Sequence, residues 1–393
     1  MTYDVIIIGA GPAGLSFARS LQDSKLKLLI IEKAPAQAIR EPTPDGREIA
    51  LTHLSEKLLR ELGAWQRIPA ESISPIKTAK VLDGNSPYAL GFESDGTDSA
   101  ASKPLGYLVP NYLIRQALYE TVASQDNLEF LTDVSVDSLS TDQHGGVVHL
   151  SNGESRKAAL IVAADSRFSA ARRNMGISAS MHDFAKTAIV CRMEHEQDHQ
   201  QAAFECFHYG RTLAVLPMAG KLSSIVITVD NELADQIVNM DTARFNQDIA
   251  QRFSHRLGKM QLIGERYAYP LIAVHANHFI ANRFALIGDA AVGMHPVTAH
   301  GFNLGLRGQA TLASLLKKAI ARGDDFGSRQ VLQRYERKHM RATRPMYWGT
   351  NGIVGLFTND KAPARAVRSI LLRIANNFPP IKHVIKNKLT EVR

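Results

Sequence analysis

The first 32 residues alternate between apolar runs and a short amphipathic stretch. Residues 4–8 consist of Asp4 and a run of four aliphatic residues, which is typical of a strand buried on both of its faces. A turn with three glycines follows, and then a helical pattern that ends at Leu21. A second apolar run covers Leu26–Ile31 and ends at an acidic residue. The pattern predicts one βαβ unit of a parallel sheet.

The middle of the chain is rich in β-forming residues. Three such runs, separated by glycines, have few helical residues between them and predict an antiparallel sheet. These runs are 203–208, 212–218 and 222–230. Asp241 follows them and is expected to cap a helix that carries Phe245, Ile249 and Phe253 on one face.

Further runs complete the pattern on either side of this β-rich region. We predict strands over 128–139, 146–150, 158–164 and 283–287, and helices over 111–123 and from about Gly301. Strands alternate with helices towards both ends of the chain. This arrangement indicates an α/β protein with a separate β domain.

Length and composition narrow the class of protein. The 393 residues are 45% hydrophobic and 21% charged, which fits a globular protein of about two or three domains. Two cysteines, Cys191 and Cys206, are too few for a disulfide framework or a Cys-rich zinc site, so we expect a reducing compartment. We expect neither a leader peptide nor a spanning helix, which needs about 18 apolar residues.

Positive charge is concentrated towards the C-terminus. The formal net charge is +8 at pH 7, and residues 361–393 contain eight Lys and Arg residues but only one acid, Glu391. The preceding residues are therefore close to neutral. The sequence shows no helix-turn-helix, zinc-finger or aromatic RNA-binding pattern, and we do not expect a nucleic-acid partner.

The glycine turn after the first apolar run has the spacing Gly-x-Gly-x-x-Gly. Gly9 permits the tight turn, Gly11 lets the backbone approach a pyrophosphate, and Gly14 lets the helix pack closely on the sheet. Free N–H groups at the start of the helix attract phosphate. Glu32, 18 residues beyond Gly14, can accept hydrogen bonds from ribose hydroxyls, which favours FAD or NAD. The unit therefore predicts a dinucleotide site.

A second candidate site follows the apolar run 283–287. Gly288-Asp289 leads into a loop with Pro296, Gly301 and Gly305 ahead of the predicted helix. Glycine and proline make such a loop rigid and allow close approach, with backbone donors directed at an anion or a carbonyl. These donors could hold the negative charge of a reduced flavin.

With these motifs in place, the chain resembles the FAD-dependent aromatic hydroxylases of the para-hydroxybenzoate hydroxylase type. It is most similar to the ubiquinone-biosynthesis hydroxylases, over nearly its whole length. Besides the two loops, the resemblance rests on the DGREIAL sequence of residues 45–51, on Tyr269-Pro270-Leu271 and on the pattern from Arg344 to Phe357. The Ala299-His300-Gly301 form of the flavin loop resembles the broad-specificity UbiM branch.

The resemblance implies an FAD cofactor held by a set of residues from several loops. The implied contacts are Gly9, Gly11, Pro12, Ala13, Gly14, Glu32, Lys33, Arg47, Asn111, Val136, Asp165, Gly288, Asp289, Pro296, Gly301, Phe302 and Asn303. His300 is the candidate catalytic residue, because an imidazole near the flavin could orient a phenol or move its proton. The alternative is a loop histidine that only packs or caps.

Two further departures from the family pattern concern the electron donor and the flavin loop. The family has Asp-Gly where this chain has Asp165-Ser166, and His where it has Val292. The Asp-Gly motif is associated with both FAD and nicotinamide contact. The choice between NADH and NADPH therefore stays open. The sequence shows no metal-ligand spacing.

We predict an α/β fold with three parts. The first is a Rossmann-like FAD-binding domain made of residues 1–75, 101–180 and 265–345. The second is an inserted antiparallel β-sheet domain on the substrate side, made of residues 76–100 and 181–264. The third is a basic helical C-terminal segment, residues 346–393.

The resemblance implies a flavoprotein monooxygenase of ubiquinone biosynthesis that hydroxylates the ring of a polyprenylated phenol. NAD(P)H would reduce the flavin, O₂ would form a C4a-hydroperoxide, and its terminal oxygen would pass to the ring. Two alternatives stay open. One is a flavin-dependent reductase or dehydrogenase of the same fold, and the other is a non-catalytic flavoprotein component of a lipid-synthesis complex. The resemblance also implies other ubiquinone-biosynthesis proteins as partners.

The basic C-terminal segment also has two interpretations. Val367, Ile370, Leu371 and Ile374 follow the spacing of one helix face, with arginines outside it. Such a helix can lie on an anionic membrane or can pack its apolar face on the rest of the protein. We expect a cytoplasmic protein. If the helix lies on a membrane, the peripheral contact is through residues 361–393.

Overall fold

The computed structural model describes residues 2–83, 89–93, 103–208, 211–294 and 300–357, together with Thr390. The strands are β1 (Thr2–Ile8), β2 (Leu28–Ile31), β3 (Glu48–Leu51), β4 (Ser74–Ile76), β5 (Thr78–Asp83), β6 (Ala89–Glu93), β7 (Gly106–Pro110), β8 (Leu128–Leu131), β9 (Val136–Thr141), β10 (Gly146–Leu150), β11 (Ser155–Ala163), β12 (Ala179–His195), β13 (Ala202–His208), β14 (Arg211–Pro217), β15 (Leu222–Asp230), β16 (Met260–Ala276), β17 (Ile280–Ala281), β18 (Phe284–Leu286) and β19 (Val292–Gly293). The helices are α1 (Pro12–Ser20), α2 (Ala36–Arg40), α3 (His53–Glu61), α4 (Asn111–Val122), α5 (Ala170–Asn174), α6 (Asn231–Val238), α7 (Thr242–Arg252), α8 (His300–Ala321) and α9 (Arg329–Phe357).

The first sheet has a parallel centre. Its strands follow the order β17-β18-β11-β1-β2-β8, and β10 and β9 extend it from β11. β1 runs parallel to both β2 and β11, and β18 runs parallel to β11. The apolar runs of β1 and β2 lie in one hydrophobic core with residues of α1, α4 and α8. Their coverage on both faces explains why these strands are continuously apolar.

The second sheet confirms the β-rich region predicted for the middle of the chain. Its order is β19-β16-β12-β15-β14-β13-β5-β6. Neighbouring strands are antiparallel except β13 and β5, which are parallel. The sheet is therefore mixed rather than purely antiparallel, because β5 comes from a segment well before β13 in the chain.

One face of the second sheet carries its own hydrophobic core. Apolar side chains of β12 to β15 pack there against α6 and α7. Phe245 and Ile249 of α7 are fully buried, and the Asp241 carboxylate accepts the N–H of Arg244 as the expected cap. Cys191 and Cys206 are free thiols within this core, and burial raises the pKa of each to about 12. They are core residues here.

A third, small sheet joins the two larger ones. It has the order β3-β7-β4 and is antiparallel. β3 contacts α8, which packs on the first sheet, and β4 contacts β14 of the second. The small sheet therefore fixes how the second sheet stands over the first.

Some elements differ from the sequence-based expectation. β12 and β16 are each 17 residues long, and the first half of β12 is mostly exposed, so no apolar run marks it. α9 begins at Arg329 and passes through residue 346, where we placed the start of the C-terminal segment. Most of residues 361–393 lie outside the described residues. In the part of the chain that is described, no helix combines the length and the apolarity needed to cross a membrane.

Candidate functional site

Four loops meet at one edge of the parallel sheet. Gly9 follows β1, Glu32 follows β2, Asp165 follows β11, and Gly288 follows β18. Because these four strands are parallel neighbours, their carboxyl ends lie at the same edge. Ligands of open α/β sheets bind in the crevice outside this edge. The four loops therefore border one crevice.

The turn between β1 and α1 is very closely packed. Gly9 has φ +107°, and a Cβ on it would lie 2.6 Å from the carbonyl oxygen of Ala164. A Cβ on Gly14 would lie 2.0 Å from the carbonyl oxygen of Gly9. Gly11 is different, since no atom of the described residues would lie within 4 Å of its Cβ. Gly9 and Gly14 thus serve the fold, whereas Gly11 faces the open crevice.

The start of α1 supplies hydrogen-bond donors at this point. Pro12 is the first helical residue and has no N–H to lose. The N–H groups of Ala13 and Gly14 lie in the first turn, where an α-helix offers no internal acceptor. Together with the helix dipole, they form a site for an anionic phosphate group.

Glu32 is fixed at the end of β2. Its Oε2 accepts the N–H of Ala10 at 2.7 Å, and its Oε1 accepts the N–H of Ala34 at 2.9 Å. Each carboxylate oxygen can accept a second hydrogen bond, so the group can still receive ribose hydroxyls. The neighbouring Lys33 is exposed, and Val136 is half-buried at the start of β9.

Arg47 lies beside the crevice in an ordered loop. Its guanidinium is bonded to the Asp45 carboxylate, with Nε to Oδ2 at 3.0 Å, and 45% of its side chain is exposed. Asn111 is buried and donates from Nδ2 to the same carboxylate, at 2.8 Å. Burial raises the pKa of Asp45, but hydrogen bonds from Arg47 and Asn111 outweigh it and leave the pKa below its usual value. Asn111 thus holds the loop that presents Arg47.

Two arginines near the crevice were missed from the sequence. Burial lowers the pKa of Arg115 on α4, and the charges of Asp45, Arg47 and Glu32 act on it. Arg115 lies one helical turn after Asn111, so the i, i+4 spacing was an available signal. Arg167 follows Asp165-Ser166 and places Nη2 3.6 Å from the Asp289 carboxylate. No motif of the sequence indicated a role for Arg167.

Asp289 and Gly288 form the opposite wall. Gly288 has φ +59°, and a Cβ on it would lie 2.7 Å from the Cβ of Ala13, so this turn packs directly on α1. The Asp289 side chain remains 46% accessible. Burial nevertheless raises its pKa, against the lowering effect of Arg167 and Arg47. The Asp289 carboxyl is therefore accessible to a ligand in the crevice.

The start of α8 is tied to β3. Asn303 is buried, accepts the N–H of Thr52 at 3.1 Å and donates to the carbonyl oxygen of Ala50 at 2.9 Å. His300 is the first residue of α8 and is buried, and Phe302 is half-buried against the first core. Gly301 lies near Met294. Pro296, the remaining predicted contact in this loop, is outside the described residues.

A buried ion pair connects β3 to the second sheet. The Oε1 of Glu48 accepts hydrogen bonds from Nε and Nη2 of Arg192, at 3.0 and 2.7 Å. The Glu48 side chain is 1% exposed, and its Oε2 has no hydrogen-bond partner among the described residues. Burial raises the pKa of Glu48 to about 7, opposed by Arg192 and reinforced by Asp45. Sequence reasoning did not find this pair.

The donors and acceptors of the crevice fit FAD. The open space at Gly11 admits a diphosphate against the start of α1, and Arg47 and Arg115 supply compensating positive charge nearby. The Glu32 carboxylate keeps acceptor capacity that suits ribose hydroxyls. Asp289 offers an accessible carboxylate for further hydroxyl groups of the cofactor.

Comparison with known proteins agrees with this fit. The family described as an FAD binding domain matches residues 2–347. The ubiquinone hydroxylase UbiM of Neisseria meningitidis is 47% identical over 390 residues, covering 98% of this chain and 84% of that protein. The ubiquinone hydroxylase UbiL of Rhodospirillum rubrum is 33% identical, covering 97% and 88%.

Among solved structures, the fold is similar to that of p-nitrophenol 4-monooxygenase PnpA from Pseudomonas putida. The TM-score is 0.78 at 17% identity, and the match covers 100% of this chain and 99% of PnpA. At this identity the likeness concerns the fold alone. It supports the α/β architecture predicted from the sequence.

Substitutions at Gly11 and Gly14 should separate cofactor binding from folding. We expect Gly11→Ala to leave the unfolding free energy within about 0.5 kcal/mol of wild type, because its Cβ meets no atom of the residues that the structure describes. The added methyl group would instead intrude on the diphosphate and weaken FAD binding at least about tenfold, or about 1.4 kcal/mol. Flavin-fluorescence titration of the apoprotein and urea unfolding measure the two effects.

Gly14→Ala is the matched contrast. Its Cβ would collide with the Gly9 carbonyl, so we expect a loss of about 1–3 kcal/mol of stability, or more. A Gly11→Ala protein that binds FAD as tightly as wild type would contradict the placement of the diphosphate.

Removing the cation from the buried ion pair should be costly. We expect Arg192→Met to lower stability at pH 8 by about 3 kcal/mol, because it leaves the Glu48 carboxylate buried without its partner. The Glu48→Gln/Arg192→Met double variant should recover most of this loss. Urea unfolding of the variants checks this difference.

The same pair gives a direction for the pH dependence. The folded-state pKa of Glu48, about 7, lies above its ordinary 4.5, so the folded protein binds the proton more tightly. The contribution of Glu48 to stability therefore falls as pH rises from about 4.5 to 7. Glu48→Gln should lose this slope. An equal slope in both proteins would be evidence against a protonatable Glu48.

Proposed function

The chain belongs to the family of FAD-binding-domain flavoproteins and, within it, to the ubiquinone hydroxylases, and we propose that it hydroxylates the ring of a polyprenylated phenol. The observation that carries the proposal is the crevice at the carboxyl edge of the parallel sheet. It combines the open approach at Gly11 with Glu32, Arg47 and Asp289. The second sheet stands over this crevice and can roof an aromatic substrate.

The protein's part in the reaction is to bind, orient and exclude water. The first turn of α1, with Arg47 and Arg115, would hold the diphosphate of FAD, and Glu32 would hold its ribose. When bound, the flavin supplies the redox chemistry, in which NADH or NADPH provides electrons and O₂ provides the oxygen atom. Asn303 keeps β3 and α8 together on the side facing the second sheet.

The enclosing sheet has a chemical purpose in such a reaction. An oxygen-transferring flavin must be kept from water, or the oxygen is lost as peroxide. Two contacts hold the second sheet against the loop beside the crevice. One is the Glu48–Arg192 pair, and the other is the hydrogen bond that the Tyr269 hydroxyl donates to the Asp45 carbonyl oxygen, at 2.6 Å. These contacts keep the roof in place.

The two alternative functions receive no support. Three relatives, at 47%, 33% and 27% identity, are named as hydroxylases, not as reductases or assembly components. The substrate of this chain is accordingly a quinone precursor, with O₂ as co-substrate. His300 as a catalytic residue remains a prediction, as does the full set of FAD contacts.

Expression in bacteria that lack a ubiquinone-ring hydroxylase tests the proposed function. We expect the protein to restore ring hydroxylation in at least one such strain, because its relatives are named as ubiquinone hydroxylases. Mass spectrometry of the extracted quinones identifies the position that is hydroxylated.

The Gly11→Ala variant serves as the negative control, since it should fold but bind FAD poorly. The substrate assignment would be disproved if every strain that expresses the protein, in soluble and yellow form, still accumulated the unhydroxylated precursor. The FAD assignment would survive that result.

We further propose that residues 361–393 bring the enzyme to the membrane that contains its lipid substrate. The support is the sequence pattern of one apolar helix face with arginines outside it. The segment lies outside the described residues, apart from Thr390.

Changing Arg365, Arg368 and Arg373 to Glu should reduce sedimentation with anionic vesicles at least about tenfold. Each basic group near such a surface contributes about 1 kcal/mol, and the change also introduces repulsion. Changing the same three residues to Lys keeps the charge and should keep binding. Equal sedimentation of all three proteins would rule out this contact.

A further inference from the structure

The second sheet carries an acidic residue, Glu205, on the face opposite its hydrophobic core. Phe204 and Cys206 pack in that core with α6 and α7. Because side chains alternate along a strand, Glu205 points to the other face. The direction of this face follows from the residues that share it with Glu205.

The register of the sheet shows which residues share this face. Glu205 is paired with Ala214, Ala214 with Val226, Val226 with Val190, and Val190 with Tyr267. Directly paired residues share a face, so Glu205 is on the same face as Tyr267. The ring of Tyr267 lies against Gly46, beside Arg47 of the cofactor crevice. Glu205 therefore faces the space between the second sheet and the FAD-binding side.

The surroundings of Glu205 are apolar. Val81 is its direct partner on β5, and Ala214 is its partner on β14. Val81 packs in a cluster with Leu90, Phe92 and Leu105. In the described part of the protein, no group donates a hydrogen bond to the Glu205 carboxyl or pairs with it. The two residues paired directly with Glu205 are therefore both apolar.

Glu205 is also a half-buried residue. Desolvation by its surroundings raises the pKa of its carboxyl to about 8. One acid among apolar neighbours suits a hydrophobic aromatic ring that carries a hydroxyl group.

Resting on the proposed function, we propose that Glu205 binds the ring hydroxyl of the phenolic substrate and takes up its proton while the ring is oxygenated. The O–H electron pair then moves into the ring and makes the ring carbon more nucleophilic towards the incoming oxygen atom. The carbon then releases its own proton, which ends in the water formed from the second oxygen atom of O₂. The ring becomes aromatic again, and Glu205 returns its proton to the phenolate oxygen. The oxygen atom comes from O₂ and the electrons from NADH or NADPH.

The chemistry of the two groups supports this exchange. A general base works best when its pKa lies close to the working pH. Ordinary glutamate is too weak a base for a phenol, whose pKa is about 10. Burial brings Glu205 to about 8 and narrows this gap. Glutamine at this position would keep the shape and the hydrogen bond but could not accept the proton.

Binding to the FAD-loaded enzyme tests contact with the hydroxyl. The probes are 2-prenylphenol and its methyl ether, which lacks the O–H, and the readout is the change in flavin absorbance. We expect wild type to bind the phenol at least about fivefold more tightly than the ether, and Glu205→Ala to lose this preference. A preference that is unchanged in Glu205→Ala would overturn the contact.

Turnover tests the proton transfer. We expect Glu205→Gln to keep its FAD and its rate of flavin reduction, but to form at least about tenfold less hydroxylated product per NAD(P)H, with hydrogen peroxide instead. The wild-type pH dependence of this coupling, centred near pH 8, should disappear. Glu194→Gln, at an exposed acid on the same sheet, is the matched control and should behave as wild type.

The outcomes separate the two levels of the proposal. If wild type hydroxylates and Glu205→Gln couples equally well with the same pH profile, the role of Glu205 is refuted and the proposed function stands. If wild type forms no hydroxylated product from any prenylated phenol, the proposed function fails, and this role falls with it. Since Gln avoids burying a charge, the variant should unfold at no lower temperature than wild type at pH 8.

Discussion

The close approach of α1 to the end of β1 is the constraint on which the rest of the site depends. A helix can present its first N–H groups to a diphosphate only if its first turn lies directly beyond the strand that leads into it. Here the contact is so tight that a single methyl group on Gly14 would lie 2.0 Å from the Gly9 carbonyl oxygen. Gly288, against Ala13, extends the same tight packing to the Gly288-Asp289 turn. The position of the crevice walls thus follows from backbone contacts.

The second sheet adds a different kind of environment to that frame. Charge and hydrogen-bonding capacity are concentrated at the carboxyl edge of the first sheet, whereas the facing side of the second sheet includes the apolar residues Val190, Ala214 and Val226. The two are joined by the small sheet β3-β7-β4 and by the Glu48–Arg192 pair. β3 therefore has two tasks, since Asn303 binds its Ala50 carbonyl on one side and Arg192 binds its Glu48 carboxylate on the other.

The sequence allowed much of this to be predicted, for a physical reason. Gly9, Gly11, Gly14 and Glu32 lie within one local βαβ unit, where spacing along the chain determines spacing in the fold. Arg167 and the Glu48–Arg192 pair depend on contacts between segments more than 100 residues apart, and no periodic pattern records such contacts. β12 was missed for a related reason, because its exposed first half carries no apolar run. The resemblance to a known family supplied the cofactor and the substrate class, which spacing alone did not.

Three carboxyl groups show how the same side chain acquires different chemistry in one protein. Glu48 is buried beside Arg192, and the ion pair limits the rise of its pKa to about 7. Asp289 faces the crevice with Arg167 and Arg47 nearby, which suits an acceptor for a hydroxyl-rich cofactor. Glu205 has burial as its one influence, and its pKa reaches about 8. A neighbouring cation favours the charged form of a carboxyl group, and apolar surroundings disfavour it. These surroundings therefore suit Glu48 to holding the second sheet in place, Asp289 to binding a cofactor and Glu205 to taking up a proton.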